Sequence, residues 1–191
     1  MKKPDEILEF WFGKPSDDHY GKRREIWFTK DTLFDEELRK QFYTDYQLAS
    51  TGTLDTWQDS PRSCLALILL LDQIPRNIFR GQIEAFATDF KALIAAQKAI
   101  EKGFDKEMLP VERWFIYLPF EHSENIEHQR RCIELFDQLK DDSESAYAID
   151  YAIQHFKIIE RFGRFPHRNS ILGRQSTSEE IEFLQQENSS F

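Results

Sequence analysis

The sequence predicts an all-α fold, and three observations carry that expectation. Apolar residues recur at helical spacing along most of the chain. No segment alternates apolar and polar residues with the period of a strand. Ser, Pro and Gly stand where helices would start and stop. At 191 residues and 22.8 kDa the chain has the size of one domain, able to bury about 70% of its unfolded surface. Residues 1–184 read as the helical domain and 185–191 as a C-terminal tail.

In chain order, Phe34, Leu38, Phe42, Tyr46 and Ala49 form the first apolar stripe, closed by Gly52. Ser60-Pro61 supplies an N-cap and a first helical residue. The segment that follows, CLALILLL at 64–71, is apolar on every side, which suits a helix buried all round rather than one lying on the surface. It is therefore the expected central helix. Phe86, Phe90, Leu93, Ile94 and Ile100 make the next stripe, ending near Gly103. Ser123 reads as the N-cap of a helix carrying Ile126, Cys132, Ile133, Phe136 and Leu139. Ala148, Ala152, His155, Ile159 and Phe162 follow, stopped by Gly163, and Ser176 with Glu179 spells a capping box for a last short helix. The sum is about eight helices with short connections, a bundle or superhelix.

A net charge of -9 and a pI near 5.1 argue against a nucleic-acid binder, whose affinity comes from clustered Lys and Arg. The N-terminal residues contain no secretory apolar core, and the run at 65–71 is too short to span a bilayer, so the cytoplasm is the expected location, with no membrane partner. Cys64 and Cys132 lack metal-ligand spacing and read as buried reduced thiols. Glu124 and His128 share a helical face, but no second pairing completes a metal site, and no metal is expected. There is no phosphate loop, dinucleotide fingerprint or nucleophile elbow, so no cofactor is expected either. Trp11, Trp27, Trp57 and Trp114 read as packing anchors.

Candidate chemistry gathers in three stretches. DQIPRNIFRG (72–81) and FGRFPHRNSILGR (162–174) each interrupt a helical pattern with Pro and then place Arg and Asn on a rigid turn, free of acids from 73 and from 162 on. Arginine forks on turns suit bidentate binding of carboxylate or phosphate. The expected ligand-binding residues are Arg76, Asn77, Arg80, Arg164, His167, Arg168, Asn169 and Arg174. Asp72 follows the apolar segment into the interior, so it needs a cationic partner, Arg76 or Arg168. In YLPFEHSENIEH (117–128), Glu121 and His122 are candidates for moving a proton, placed just before a helix N-terminus. His155 lies in an apolar stripe and reads first as a hydrogen-bonded core histidine.

Together, FWFG at 10–13, LDQIPRNIFRG at 71–81, ERWFIYLPFEHSE at 112–124 and RFGRFPHRNSILGRQST at 161–177 resemble an uncharacterised, mainly bacterial family of tetratricopeptide-like helical proteins. The resemblance spans nearly the whole chain, with Ile74 where Phe is the family's residue before the proline. It implies stacked antiparallel helix pairs and brings no activity with it. The family's recurring polar positions fall here on the residues named above and on Gln73, Glu124 and His155. Two functions follow as expectations: a polar pocket for a small anionic ligand, with or without catalysis, or an interaction module that binds a protein segment on a concave face while the Arg/Asn turns are structural.

Overall fold

The central helix forms as its all-round apolarity requires. The computed structural model describes residues 1–186 and Ser189; residues 187, 188, 190 and 191 of the expected tail lie outside the described residues. Among them α3 (Pro61–Ile68), a π-helical turn (Leu69–Gln73) and α4 (Ile74–Ile78) run as one rod, and every side chain from Cys64 to Leu71 is buried. Each Leu or Ile so buried contributes about 1.5–3 kcal/mol relative to exposure. Around this rod pack α1 (Pro4–Phe12), α2 (Thr32–Ser50), α5 (Asp89–Glu101) and α6 (Pro110–Glu121). Then α7 (Ile126–Asp137) and α8 (Ala146–Phe162) continue outward from α6 in antiparallel order, and α9 (Ser178–Leu184) follows a loop that folds back under α8. With the central rod counted once, there are eight helical rods among the described residues, and no strand.

Pro75 does not break the helix, contrary to the expectation that Arg76 and Asn77 lie on a turn. Proline removes the donor that would reach the carbonyl four residues back and its ring crowds that carbonyl. Here the π turn widens the backbone just ahead of it, and the Leu71 carbonyl takes the Thr88 hydroxyl instead, at 2.6 Å. The lost hydrogen bond is thus replaced from the neighbouring segment.

Three further expectations need correction. The buried face of α5 is Ala92, Ala95, Ala96 and Ala99, while Phe90 and Ile94 are exposed. Small residues let α5 approach α3 closely; Phe90 and Ile94 fall on the outer face, while Leu93 and Ile100 pack against the core as expected. The helix after Ser123 starts later than expected, with Asn125 as its N-cap, its side chain accepting from Glu127 N at 2.8 Å. Glu121 and His122 are accordingly the last residue and the C-cap of α6. The final capping box is Thr177 with Glu180, one residue beyond the expected pair. Gly163, at φ +69°, ends α8 in the left-handed conformation that suits glycine.

Among the described residues no helix is long and apolar enough to cross a membrane. The tryptophans at 11, 27 and 114 are buried, and Trp11 and Trp27 stack at 6.2 Å between centroids. Cys64 and Cys132 are buried free thiols, and burial pushes both up in pKa, Cys64 to about 11.

Candidate functional site

Three helices each turn one face to a common cavity of about 520 Å³. The central rod and the turn just after it supply Gln73, Arg76, Asn77 and Arg80, α6 supplies Trp114, Leu118 and Glu121 with His122 at its cap, and α8 supplies Tyr147, Ala148, Tyr151 and His155. These spacings of three and four are the ones that share a helical face. Trp27 and Phe28, at the end of the 3-10 turn Glu25–Trp27, close one side; Phe86, with His167 and Arg168 from the 3-10 turn Pro166–Arg168, closes another.

At the polar end, buried Asp72 is the organising charge. Its Oδ1 accepts from His122 Nδ1 at 2.7 Å, its Oδ2 accepts from Gln73 Nε2 at 2.7 Å, and Arg76 Nη1 lies 3.8 Å away. Burial alone would raise its pKa, but His122 and Arg76 beside it, with the two hydrogen bonds, hold the carboxyl well below the usual range. Of the two expected partners, Arg76 lies beside Asp72 and Arg168 does not pair with it; the closest partner, His122, was not expected. Arg76 also forms a two-pronged pair with Asp89, at 2.7 and 3.0 Å. Burial lowers its affinity for the proton, and the two aspartates more than restore it.

Arg168 has a different environment. Its guanidinium stacks between Phe86 and Phe165, 4.8 and 4.4 Å from the ring centroids, and Nη1 donates to the His122 carbonyl at 3.0 Å. Asp89 is 3.7 Å away and is already engaged by Arg76. Nε has no hydrogen-bond partner among the described residues. Burial, then repulsion from Arg76, bring this group's pKa down to about 10. Of the two arginines at this end, Arg76 has two carboxylates, Asp72 and Asp89, and Arg168 has only a longer share of Asp89, at 3.7 Å.

The groups able to move protons sit between them. Glu121 is buried and its Oε2 has no hydrogen-bond partner among the described residues. Burial and the nearby Asp72 charge, partly opposed by Arg76, push it up to about 8, so at neutral pH it is mostly a neutral acid. His122 moves the other way, lowered by burial and Arg76 against the pull of Asp72. With Nδ1–H committed to Asp72, the neutral ring keeps Nε2 as its proton acceptor. An acid and a base on adjacent residues have been pushed apart in pKa in the direction that proton transfer at neutral pH needs. His155, buried behind Glu121, donates from Nδ1 to the Tyr151 carbonyl at 2.9 Å and lies 3.3 Å from Glu121 Oε1.

The eight expected ligand residues divide. Arg76, Asn77, Arg80, His167 and Arg168 line the cavity with Glu121 and His122. Within that set Arg80 is clasped by Asp35 at 2.8 and 2.9 Å, and Asn77 bridges Gln73 O and Arg80. Arg164, Asn169 and Arg174 lie away from it. Arg174 grips Glu124 at 2.7 and 2.9 Å, and that carboxylate also receives Phe165 N at 2.8 Å. Arg164 and Asn169 both bond Glu180 on α9. These contacts fix the backbone on either side of Arg168. The aromatic wall of Trp27, Phe28, Trp114, Tyr147 and Tyr151 was not among the expected site residues, nor was Asp89. No cluster of potential metal ligands occurs among the described residues.

The sequence matches over residues 7–188 the family described as bacterial protein of unknown function (DUF924), and the chain belongs to it. The chain is similar to the solved structure of a protein of unknown function, ATU0120, from Agrobacterium tumefaciens. Identity is 40%, the match covers 95% of this chain and 96% of that one, and the TM-score is 0.84. No curated protein matches the sequence.

Proposed function

We propose that this DUF924 member binds a small molecule bearing a carboxylate or phosphate group, anchored by Arg168, with Glu121 and His122 beside it as proton donor and acceptor. The observation that carries the reading is the state of Arg168: a guanidinium almost wholly removed from water, facing the cavity, with Nε lacking a hydrogen-bond partner among the described residues and its nearest carboxylate, Asp89, shared with Arg76. A buried charge with only a distant share of a carboxylate is costly, and a bound anion would relieve that cost. If the ligand is a substrate, the chemistry on offer is proton transfer, from neutral Glu121 and to His122 Nε2. Arg76, Asn77 and Arg80 support the site through Asp72, Asp89 and Asp35, His167 flanks Arg168, and Arg164, Asn169 and Arg174 hold the loop that carries it.

The same reading treats residues 1–184 as one domain, the antiparallel order of α6, α7 and α8 as tetratricopeptide-like, and the cytoplasm as the location. The rival is a protein segment docking on the helices, which the exposed Phe90 and Ile94 on the outer face of α5 favour. A thermal-shift screen of small carboxylates and phosphates, run on the wild type and on Arg168→Met, separates the two. A true ligand at 100 times its dissociation constant should stabilise the wild type by about 2.7 kcal/mol and the variant hardly at all. Equal stabilisation of both proteins by every hit would remove Arg168 from the site.

A further inference from the structure

We infer that the ligand is an amphipathic monoanion, one carboxylate on a flat apolar body; this rests on the reading of Arg168 as its anchor. The direction of the cavity supplies the argument. α6 and α8 run parallel along it, because Trp114 Nε1 donates to Ser145 Oγ at 2.7 Å near their N-terminal ends, while Glu121 at the end of α6 meets His155, past the middle of α8, at 3.3 Å. Along both helices the wall changes character in the same sense. On α6 it passes from Trp114 and Leu118 to Glu121 and His122, and on α8 from Tyr147, Ala148 and Tyr151 to His155. One end of the cavity is an aromatic chamber and the other carries the charges.

The chamber has little with which to read hydrogen bonds. The indole N–H of Trp114 is used by Ser145, and that of Trp27 donates to the Trp11 carbonyl at 3.1 Å. Tyr147 and Tyr151 lie ring against ring at 4.4 Å between centroids, with their hydroxyls hydrogen-bonded to each other. Such a wall selects surface area and flatness, so it fits an aromatic or compact aliphatic body. The polar end limits the charge. Arg76 is taken by Asp72 and Asp89, and Arg80 by Asp35 in a two-pronged pair, whereas Arg168 has only a 3.7 Å share of Asp89, which Arg76 holds more closely. A single negative charge finds a partner there, whereas a dianion would bring a second charge close to Asp72 and Asp89. A cavity of about 520 Å³ is also far roomier than acetate or phosphate needs.

Titration calorimetry with 3-phenylpropionate, acetate, inorganic phosphate and the neutral 3-phenylpropionamide tests this. The aryl carboxylate should bind at least tenfold more tightly than acetate, phosphate or the amide. Arg168→Met should weaken the carboxylate tenfold or more and leave the amide unchanged. Ala148→Leu, which fills the chamber, should weaken phenylpropionate about tenfold without affecting acetate; if leucine prevents folding, Ala148→Val makes the same test with a smaller change. Acetate or phosphate binding as tightly as phenylpropionate, in an Arg168-dependent way, would overturn the amphipathic ligand and leave the anchor standing. The amide binding as well as the acid would overturn the anion itself. No binding by any probe up to about 10 mM would overturn both.

Discussion

Glu121→Gln is expected to make the protein more stable, by about 4 kcal/mol at pH 9. In the folded chain burial and Asp72 raise this carboxyl from 4.5 to about 8, so the native state keeps a proton that the unfolded state releases. Glu121's contribution to the wild type's stability is therefore fully present below pH 4.5 and falls as pH rises toward 8, by about 1.4 kcal/mol for each pH unit crossed. Glutamine keeps the shape and cannot ionise, so the gap between variant and wild type should be small at pH 4.5 and open across that window. Denaturant melts of both proteins at about pH 4.5 and pH 9 measure it. A constant gap would mean that Glu121 ionises without penalty. Glutamine also cannot deliver a proton, so a gain in stability here would mark Glu121 as a residue retained for function at the expense of the fold.

Asp72→Asn should act in the opposite direction, costing about 3 kcal/mol at pH 7. Removing one member of a buried ionic cluster leaves the rest uncompensated, and here His122 loses its carboxylate while Arg76 falls back on Asp89 alone. The Asp72 carboxyl is held below its usual range, so its contribution is present above the ordinary carboxylate pKa and is lost only as the solution becomes strongly acidic. The Asp72 charge is also one of the causes that raise Glu121. The gain from Glu121→Gln at pH 9 should accordingly shrink by about 1 kcal/mol or more once Asp72→Asn is present, a non-additivity that a double-mutant cycle reads directly.

The fold is legible wherever burial shows in composition. Residues 64–71 are apolar on every side, and only an interior helix can be. On α5 the same reasoning places Leu93 and Ile100 rightly against the core but misplaces Phe90 and Ile94, which outweigh four alanines in any count of hydrophobicity although close packing of two helices needs the alanines. Pro75 reads as a break because its remedy, the Thr88 hydroxyl on the Leu71 carbonyl, comes from another segment.

The site is legible in residue types and not in partners. That Asp72 requires a cation follows from its place after an apolar helix, and Arg76 answers it. Its closest partner, His122, is fifty positions away and carries no signal linking the two. Arg164, Arg168 and Arg174 look alike along the chain. What separates them is that Glu180 and Glu124 reach the first and third, while Arg168 is left facing the cavity. The aromatic wall is hidden because tryptophan and tyrosine lining a chamber have the same spacing as those filling a core.

Whether Arg168 is held for a ligand is tested most directly by the denaturant stability of Arg168→Met at pH 7. Burial and Arg76 bring this guanidinium from 12.5 down to about 10, so its charge weighs against the folded state by about 3 kcal/mol. Methionine keeps an apolar stem between Phe86 and Phe165 and gives up a hydrogen bond and two ring contacts, about 1 kcal/mol each. The expected result is a variant within about 1 kcal/mol of the wild type, or above it, that no longer responds to carboxylates. A loss of about 3–5 kcal/mol would show that Arg168 neutralises a buried acid instead, and would contradict the ligand site.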